Sequence, residues 1–336
     1  MNIDRGILEE IDSNASTVDE FILSHLEGEP KELYQASTHY IVSGGKRLRP
    51  FMVIKSCQMF GGNAKMALPS AAAVELIHNF SLVHDDIMDN DEMRHSVLTV
   101  HKQYGIPLAI LAGDILFSKA FQLLVLDGKK VGISEKVITE MVARLSTACI
   151  HVCEGQAADV YMASKSNFSL ESEYIDMISK KTAALFELSC TIGTLSAENS
   201  TLDDLDNLSS FGKNVGIAFQ LIDDLIGILG DPKLTGKAVG NDIREGKKTY
   251  PILLAIKNTK NEEKNKILKV FGSKNSSAAD LEKAVEAISD TGIQEQIRQT
   301  AKMHVNRAIK SIQNYTDTDA KKALECSANF IIDRRL

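Results

Sequence analysis

The chain has 336 residues, 38 Lys and Arg against 45 Asp and Glu, and a formal net charge of −7. A make-up of 44% hydrophobic and 25% charged residues excludes a disordered or fibrous chain and fits one that buries a large core without disulfide staples. The acidic balance argues against nucleic acid or an anionic membrane surface as the principal partner.

Five cysteines, Cys57, Cys149, Cys153, Cys190 and Cys326, are an odd number spread along the chain, which predicts reduced thiols and a cytoplasmic setting. Cys149, His151 and Cys153 lie close together, but His151 would point away from the two thiols on a helix. No second Cys/His pair follows at zinc spacing, so they read as buried small residues. The start, Met1-Asn2-Ile3-Asp4-Arg5, lacks a basic residue followed by an apolar run, so no signal peptide is expected. The most apolar stretch, Ile106 to Leu126, carries Asp114 and Lys119, which predicts no stable membrane insertion.

Helix is expected almost throughout. Only six prolines occur and none lies between Leu108 and Asp231, while apolar residues recur at three and four rather than two. Chain breaks are expected at Glu27 to Pro30, Gly61 to Asn63, Asn90 to Leu98, Asp127 to Ser134, Lys165 to Ser169, Glu198 to Thr201 and Gly230 to Gly240. Between them, Val74, Ile77, Ser81 and His84 share one face of a run that also carries Leu76, Phe80 and Val83. Ile175, Ile178, Ala183, Phe186 and Cys190 repeat similarly, as do Val215, Ala218, Leu221, Ile222 and Leu225. Asp127-Gly128 is flanked by no alternating β-branched runs, so strands have little support. No linker separates two compositions. The expectation is one all-α domain over residues 1–336.

Charged residues gather in four clusters. In Gly44-Gly45-Lys46-Arg47-Leu48-Arg49-Pro50 the glycines let the backbone approach a ligand, and Lys46 and Arg49 could converge on one anion. In His84-Asp85-Asp86-Ile87-Met88-Asp89-Asn90-Asp91, the carboxylates of Asp85 and Asp89 stand on one helix face about 6 Å apart along the axis. Like charges at a helix C-terminus repel each other and the dipole, so a bound cation explains the arrangement better than local stability does. Hard oxygen ligands with open positions suit Mg²⁺ that shares its shell with a substrate phosphate. Phe219-Gln220-Leu221-Ile222-Asp223-Asp224 is a second acidic helix end. A loop from Gly236-Lys237 to Lys247-Lys248-Thr249 is rich in glycine and cations. Taken together, these clusters suggest a metal-bridged diphosphate site. The net charge does not exclude a polyanionic substrate, because Mg²⁺ reverses the local sign.

With Lys181-Thr182 as a fifth motif, the order and spacing from about Gly44 to Pro251 resemble the trans-prenyl diphosphate synthases, most closely the archaeal geranylgeranyl diphosphate synthases. The resemblance implies an all-α barrel of long helices around a central cavity, acting as a homodimer. It implies head-to-tail condensation of isopentenyl diphosphate onto an allylic diphosphate (dimethylallyl, geranyl or farnesyl) with Mg²⁺. By resemblance, Asp85 and Asp89 are Mg²⁺ ligands supported by Asp86, and Asp223 is a ligand with Asp224 beside it. Lys46, Arg49 and His78 would hold isopentenyl diphosphate. Arg94, Lys181, Lys237 and Lys247 would hold the allylic diphosphate, and Lys181, Thr182 and Gln220 would face the developing allylic cation.

Two positions depart from the family pattern. His95 stands where an arginine usually helps to bind isopentenyl diphosphate; with an ordinary pKa near ~6.5 it predicts weaker, pH-sensitive binding. Gly227 stands where the second motif usually has its last aspartate. Product length is expected to depend on the helix before Asp85. Ser81 lies four residues back, and Phe80, five back, would project roughly 7 to 8 Å deeper as a floor under a growing chain. That predicts a C20 product, with farnesyl or longer-chain synthesis as the alternative. A terpene cyclase is disfavoured by the glycine-lysine loop and the Lys46 and Arg49 pair. A noncatalytic subunit of a heteromeric synthase is disfavoured by the intact aspartates and lysines. A metal-storage bundle would need partners for the Glu-x-x-His spacing of Glu75 and His78, and none is evident.

Overall fold

The structure is a computed structural model that describes residues 5–94, 96–165, 167–168, 170–230, 240–273 and 275–333. Its order is α1 (Arg5–Leu23), α2 (Lys31–Val42), α3 (Leu48–Met59), α4 (Ala64–Asp89), α5 (Val100–Tyr104), α6 (Ile106–Lys130), α7 (Glu135–Ser164) and α8 (Glu171–Ile178). A π-helical turn (Ser179–Ala183) joins α8 to α9 (Ala184–Ser196), followed by α10 (Leu202–Leu229) and α11 (Asn241–Glu245). The chain closes with α12 (Tyr250–Asn258), α13 (Asn261–Val270), α14 (Ala278–Ser289), α15 (Ile293–Ile312) and α16 (Asp319–Asp333). The fold is all-α, as the 3.6-residue periodicity requires.

The described residues cluster into two compact units. The first draws on Met1–Ile150, Leu185–Gly212 and Ser311–Cys326, the second on His151–Ala184, Lys213–Lys310 and Ser327–Leu336. In the first unit α4 packs most extensively against α6, with Val74, Leu76 and Ile77 buried on α4 and Ala112, Leu116, Ala120 and Leu123 on α6. An ion pair is buried with them. Arg47, at the left-handed start of α3, binds Glu75 and Asp19, each at 2.8 Å, and caps the Ile41 carbonyl of α2 at 2.8 Å. Glu75 is therefore a structural partner of arginine and not a metal ligand. In the second unit Leu221, Ile222, Leu225 and Ile228 of α10 are buried, as are Ile252 and Leu254 of α12 and Ile297 and Val305 of α15.

Three local features depart from the periodicity reading. The break expected at Asp127 to Ser134 starts only after Lys130: helix α6 runs through Asp127-Gly128, where Asp127 pairs with Lys130 at 2.8 Å and Gly128 lies against Ile138. Met93–Arg94 and Val97–Leu98 form a two-residue antiparallel ribbon. The π-helical turn has no signature in apolar spacing, since it only widens one turn of a continuing helix. Helices α4 and α6 are long and apolar enough to cross a membrane; the most apolar window of α4 is 67% buried inside the protein and that of α6 is 39% buried. Cys149 is buried while Cys153 is exposed, and among the described residues no three His, Cys, Asp or Glu side chains form a closed cage.

Candidate active site

The first acidic motif occupies the last turn of α4, which Asn90 ends in a left-handed conformation. Asp85 is half-buried and Asp89 exposed, so both can present oxygens outward, while Asp86 is fully buried. Asp86 Oδ2 accepts the phenol of Tyr40 from α2, and Oδ1 accepts Arg94 Nε and Nη2 at 2.7 Å. Burial pushes the Asp86 carboxyl up and the Arg94 charge opposes that shift. Asp86 thus supports the motif by fixing Arg94.

Of the three residues expected around isopentenyl diphosphate, the fold brings two together. Arg49 Nη1 donates to His78 Nε2 at 3.3 Å, and the Arg49 guanidinium lies 4.4 Å from the ring centroid of Phe186. Stacking holds that guanidinium flat with its fork directed sideways, a geometry suited to phosphate oxygens. Lys46 is exposed on the loop between α2 and α3. One turn before the aspartates, Phe80 packs on His84 at 4.7 Å and on Phe117 of α6 at 5.2 Å, and Phe117 packs on Phe121 at 5.1 Å. The ring expected as a floor is the top of an aromatic column. The Ser81 hydroxyl is turned into its own helix, donating to the His78 carbonyl at 2.8 Å.

In the second unit Asp223 is exposed and Asp224 is buried. Asp224 Oδ2 accepts the phenol of Tyr174, and Oδ1 accepts Gln220 Nε2 at 2.8 Å. Gln220 Oε1 in turn accepts Thr182 Oγ1 at 2.7 Å, so the two dipolar groups expected near the cation do meet. Burial, with Asp242 and Asp223 adding to it, pushes the Asp224 carboxyl up to about 7 against its hydrogen bonds. Lys181 pairs with Asp159 of α7 at 2.7 Å. Gly155, one turn earlier on α7, leaves the space into which the Lys181 backbone fits, so a side chain there would displace the π-helical turn. Lys247 pairs with Glu245 at 2.9 Å. Lys248 is buried and donates to the carbonyls of Met162, Lys165 and Asn167, fixing its loop against the end of α7. His95 and Lys237 lie outside the described residues.

The missing last aspartate of the second motif has a physical explanation. A Cβ on Gly227 would lie 2.5 Å from Asp242 Oδ2, so the carboxylate of Asp242 takes the place a side chain would fill. Spacing could not reveal Asp242, Asp159, Phe117, Tyr40 or Tyr174, because each reaches its motif from another helix or loop. A glycine inside an apolar helix, as at Gly155 and Gly227, was the available signal.

The donor chemistry fits Mg²⁺. The outward carboxylates number few per motif and leave room for waters and phosphate oxygens, which is how Mg²⁺ differs from ions held in an all-protein cage. Residues 30–288 match the Polyprenyl synthetase family. The chain is 40% identical over 322 residues to a geranylgeranyl diphosphate synthase of Sulfolobus acidocaldarius, covering 95% of this chain and 96% of that one. Its fold matches the crystal structure of geranylgeranyl pyrophosphate synthetase from Pyrococcus horikoshii with a TM-score of 0.91 at 38% identity, over 98% and 99% of the two chains. It also matches, at 26% identity, a TM-score of 0.84 and 100% coverage of both chains, a geranylgeranyl pyrophosphate synthase from Corynebacterium glutamicum complexed with isoprenyl diphosphate and magnesium. Matched in sequence and fold along nearly its whole length, the chain belongs to the polyprenyl synthetase family and is a short-chain prenyltransferase of isoprenoid biosynthesis.

Proposed function

We propose that the chain condenses isopentenyl diphosphate head-to-tail with an allylic diphosphate, dimethylallyl, geranyl or farnesyl, and releases geranylgeranyl diphosphate (C20). The observation that carries the product length is the aromatic column of Phe80, Phe117 and Phe121 under the Asp85 turn. Asp85, Asp89 and Asp223 are the Mg²⁺ ligands, with Asp86 and Asp224 supporting them from inside. Bound Mg²⁺ supplies charge that stabilises the departing diphosphate. Arg94, Lys181, Lys237 and Lys247 hold the allylic diphosphate, while Lys46, Arg49, His78 and His95 hold isopentenyl diphosphate. The dipoles of Thr182 and Gln220 face the allylic cation, and apolar walls exclude the water that would quench it. The chain acts as one catalytic domain, a reading supported by a family match that crosses both units without a break.

The protein is proposed to work in the cytoplasm as a homodimer. Ile106, Ile110, Leu111 and Leu126 on α6 are each about half exposed, apolar side chains that a second copy would cover. Charged residues at Asp114 and Lys119 speak against membrane insertion of the same helix. The deciding experiment is incubation with isopentenyl diphosphate, each allylic primer and Mg²⁺, followed by chromatography of the dephosphorylated products. A linear C20 alcohol is expected; a cyclic hydrocarbon or no product overturns the reading. Phe80→Ala is expected to shift the distribution beyond C20, and an unchanged distribution removes the column from product control.

A further inference from the structure

Each acidic motif contains a pair of adjacent aspartates, and the two pairs are held in the same way. The inner carboxylates, Asp86 and Asp224, each accept a phenol from another helix, Tyr40 and Tyr174. Both phenol oxygens also take a backbone N–H from the first residue of a following helix. Val100, which opens α5, donates to Tyr40 Oη at 3.2 Å, and the backbone of Tyr250, which opens α12, hydrogen-bonds Tyr174 Oη. The residues preceding those helices are both threonines, Thr99 and Thr249, and neither makes a side-chain cap. An uncapped first-turn amide has no partner within its helix, and a phenol can accept and donate at once. In each motif a tyrosine therefore supplies the acceptor for the first helical amide, which an N-cap side chain does not reach.

We propose that Tyr40 and Tyr174 are matched positioning residues, each pinning the helix start after an acidic motif to the inner carboxylate of that motif. The arrangement occurs twice on unrelated helices, which makes an incidental contact a poor explanation. The two locks act on different groups. Through Asp86, Tyr40 holds Arg94, a cation of the allylic diphosphate site. Through Asp224, Tyr174 holds the Gln220 amide and hence Thr182, which face the reacting carbon. The stacked rings of Tyr174 and Tyr250, 5.5 Å apart, tie the second lock to the loop that carries Lys247.

The inference rests on the proposed function for its kinetic half only. The structural half is tested on Mg²⁺-free protein by amide hydrogen exchange. Tyr40→Phe is expected to speed exchange about tenfold at Val100 and not at Tyr250, and Tyr174→Phe to do the reverse. In steady-state assays Tyr40→Phe is expected to raise the allylic KM about tenfold with kcat held, and Tyr174→Phe to lower kcat about tenfold with KM held. Should a phenylalanine variant not fold, Asp86→Asn and Asp224→Asn are expected to give the same amide-specific split. Exchange unchanged at the two amides, or faster by equal amounts at both, overturns the proposal, as does joint movement of kcat and KM in both variants. A wild-type protein that makes no prenyl product overturns the proposed function and leaves the exchange result standing.

Discussion

At the end of α4 the inner carboxylate of Asp86 meets the guanidinium of Arg94, whereas on α10 the corresponding carboxylate of Asp224 meets, among the described residues, the neutral amide of Gln220 and the phenol of Tyr174. Both are buried and both accept a tyrosine, but Asp86 has the cation Arg94 beside it, while Asp224 has the like charges of Asp242 and Asp223. With that charge present, burial is partly offset and Asp86 stays in a buried ion pair. On α10 burial, with Asp242 and Asp223 adding to it, pushes the Asp224 carboxyl up to about 7. One motif is organised by charge and the other by dipoles, which fits their assigned tasks. Arg94 serves a diphosphate, while Gln220 and Thr182 serve a carbocation, which their dipoles stabilise.

The largest expected effect tests whether the outward carboxylates are equivalent. Asp89→Ala and Asp223→Ala are each expected to lower kcat/KM about a thousandfold, measured by product formation at saturating Mg²⁺. A loss confined to one of them would mean that a single motif carries the metal. The inner carboxylates should differ. Asp86→Asn breaks a buried pair and is expected to cost about 3 kcal/mol in denaturant unfolding, whereas Asp224→Asn at pH 6 should cost under about 1 kcal/mol. Equal losses would dissolve the distinction between charge and dipole.

Acidity offers a finer test, because Asp224 and the α5 histidine His101 should respond in opposite directions. Asp224 moves from 3.8 unfolded to about 7 folded, so its contribution is present at low pH and is lost as pH rises towards 7. His101, buried on α5 with neither ring nitrogen hydrogen-bonded among the described residues, is held below its ordinary 6.5, chiefly by burial. Its contribution is present above 6.5 and is lost as pH falls below it. In Mg²⁺-free melts from pH 5 to 8, Asp224→Asn should flatten the decline on the alkaline side and His101→Gln the decline on the acid side. A single substitution that flattens both would show that one group dominates. The smallest effect is expected at Gly227. Gly227→Ala should lower the melting temperature by a few degrees (about 1 kcal/mol) through its clash with Asp242, and Asp242→Ala should remove that penalty in the double variant.

Helices and the two acidic helix ends were legible in the sequence because each depends on near neighbours; of the second glycine-lysine loop, Gly236 to Val239 lie outside the described residues and Asn241–Glu245 form α11. Asp85 and Asp89 share a face whatever surrounds them, and the apolar run of α4 is fixed by its own spacing. The break expected at Asp127 to Ser134 is found, but it starts only after Lys130, for the complementary reason. Turn-forming residues state a local preference, and packing against Ile138 with an ion pair to Lys130 outweighed it.

Local spacing alone could not separate Asp85 from Asp86 or Asp223 from Asp224, since adjacent residues have the same composition around them. Their division into an outward and an inner carboxylate depends on Tyr40 and Tyr174, which stand far away in the chain. The same holds for Gly227, which reads as a lost aspartate until Asp242 is found against it, and for Phe80, which reads as a single floor until Phe117 and Phe121 stand beneath it. Sequence by itself determined which helices form, where charge accumulates at their ends and which family the chain belongs to, because these are properties of periodicity and order. Tertiary structure decided which carboxylates are outward, which cations are already paired and what fills the space of an absent side chain, because burial and hydrogen bonding depend on residues that only folding brings within 3 or 4 Å, roughly the reach of those forces.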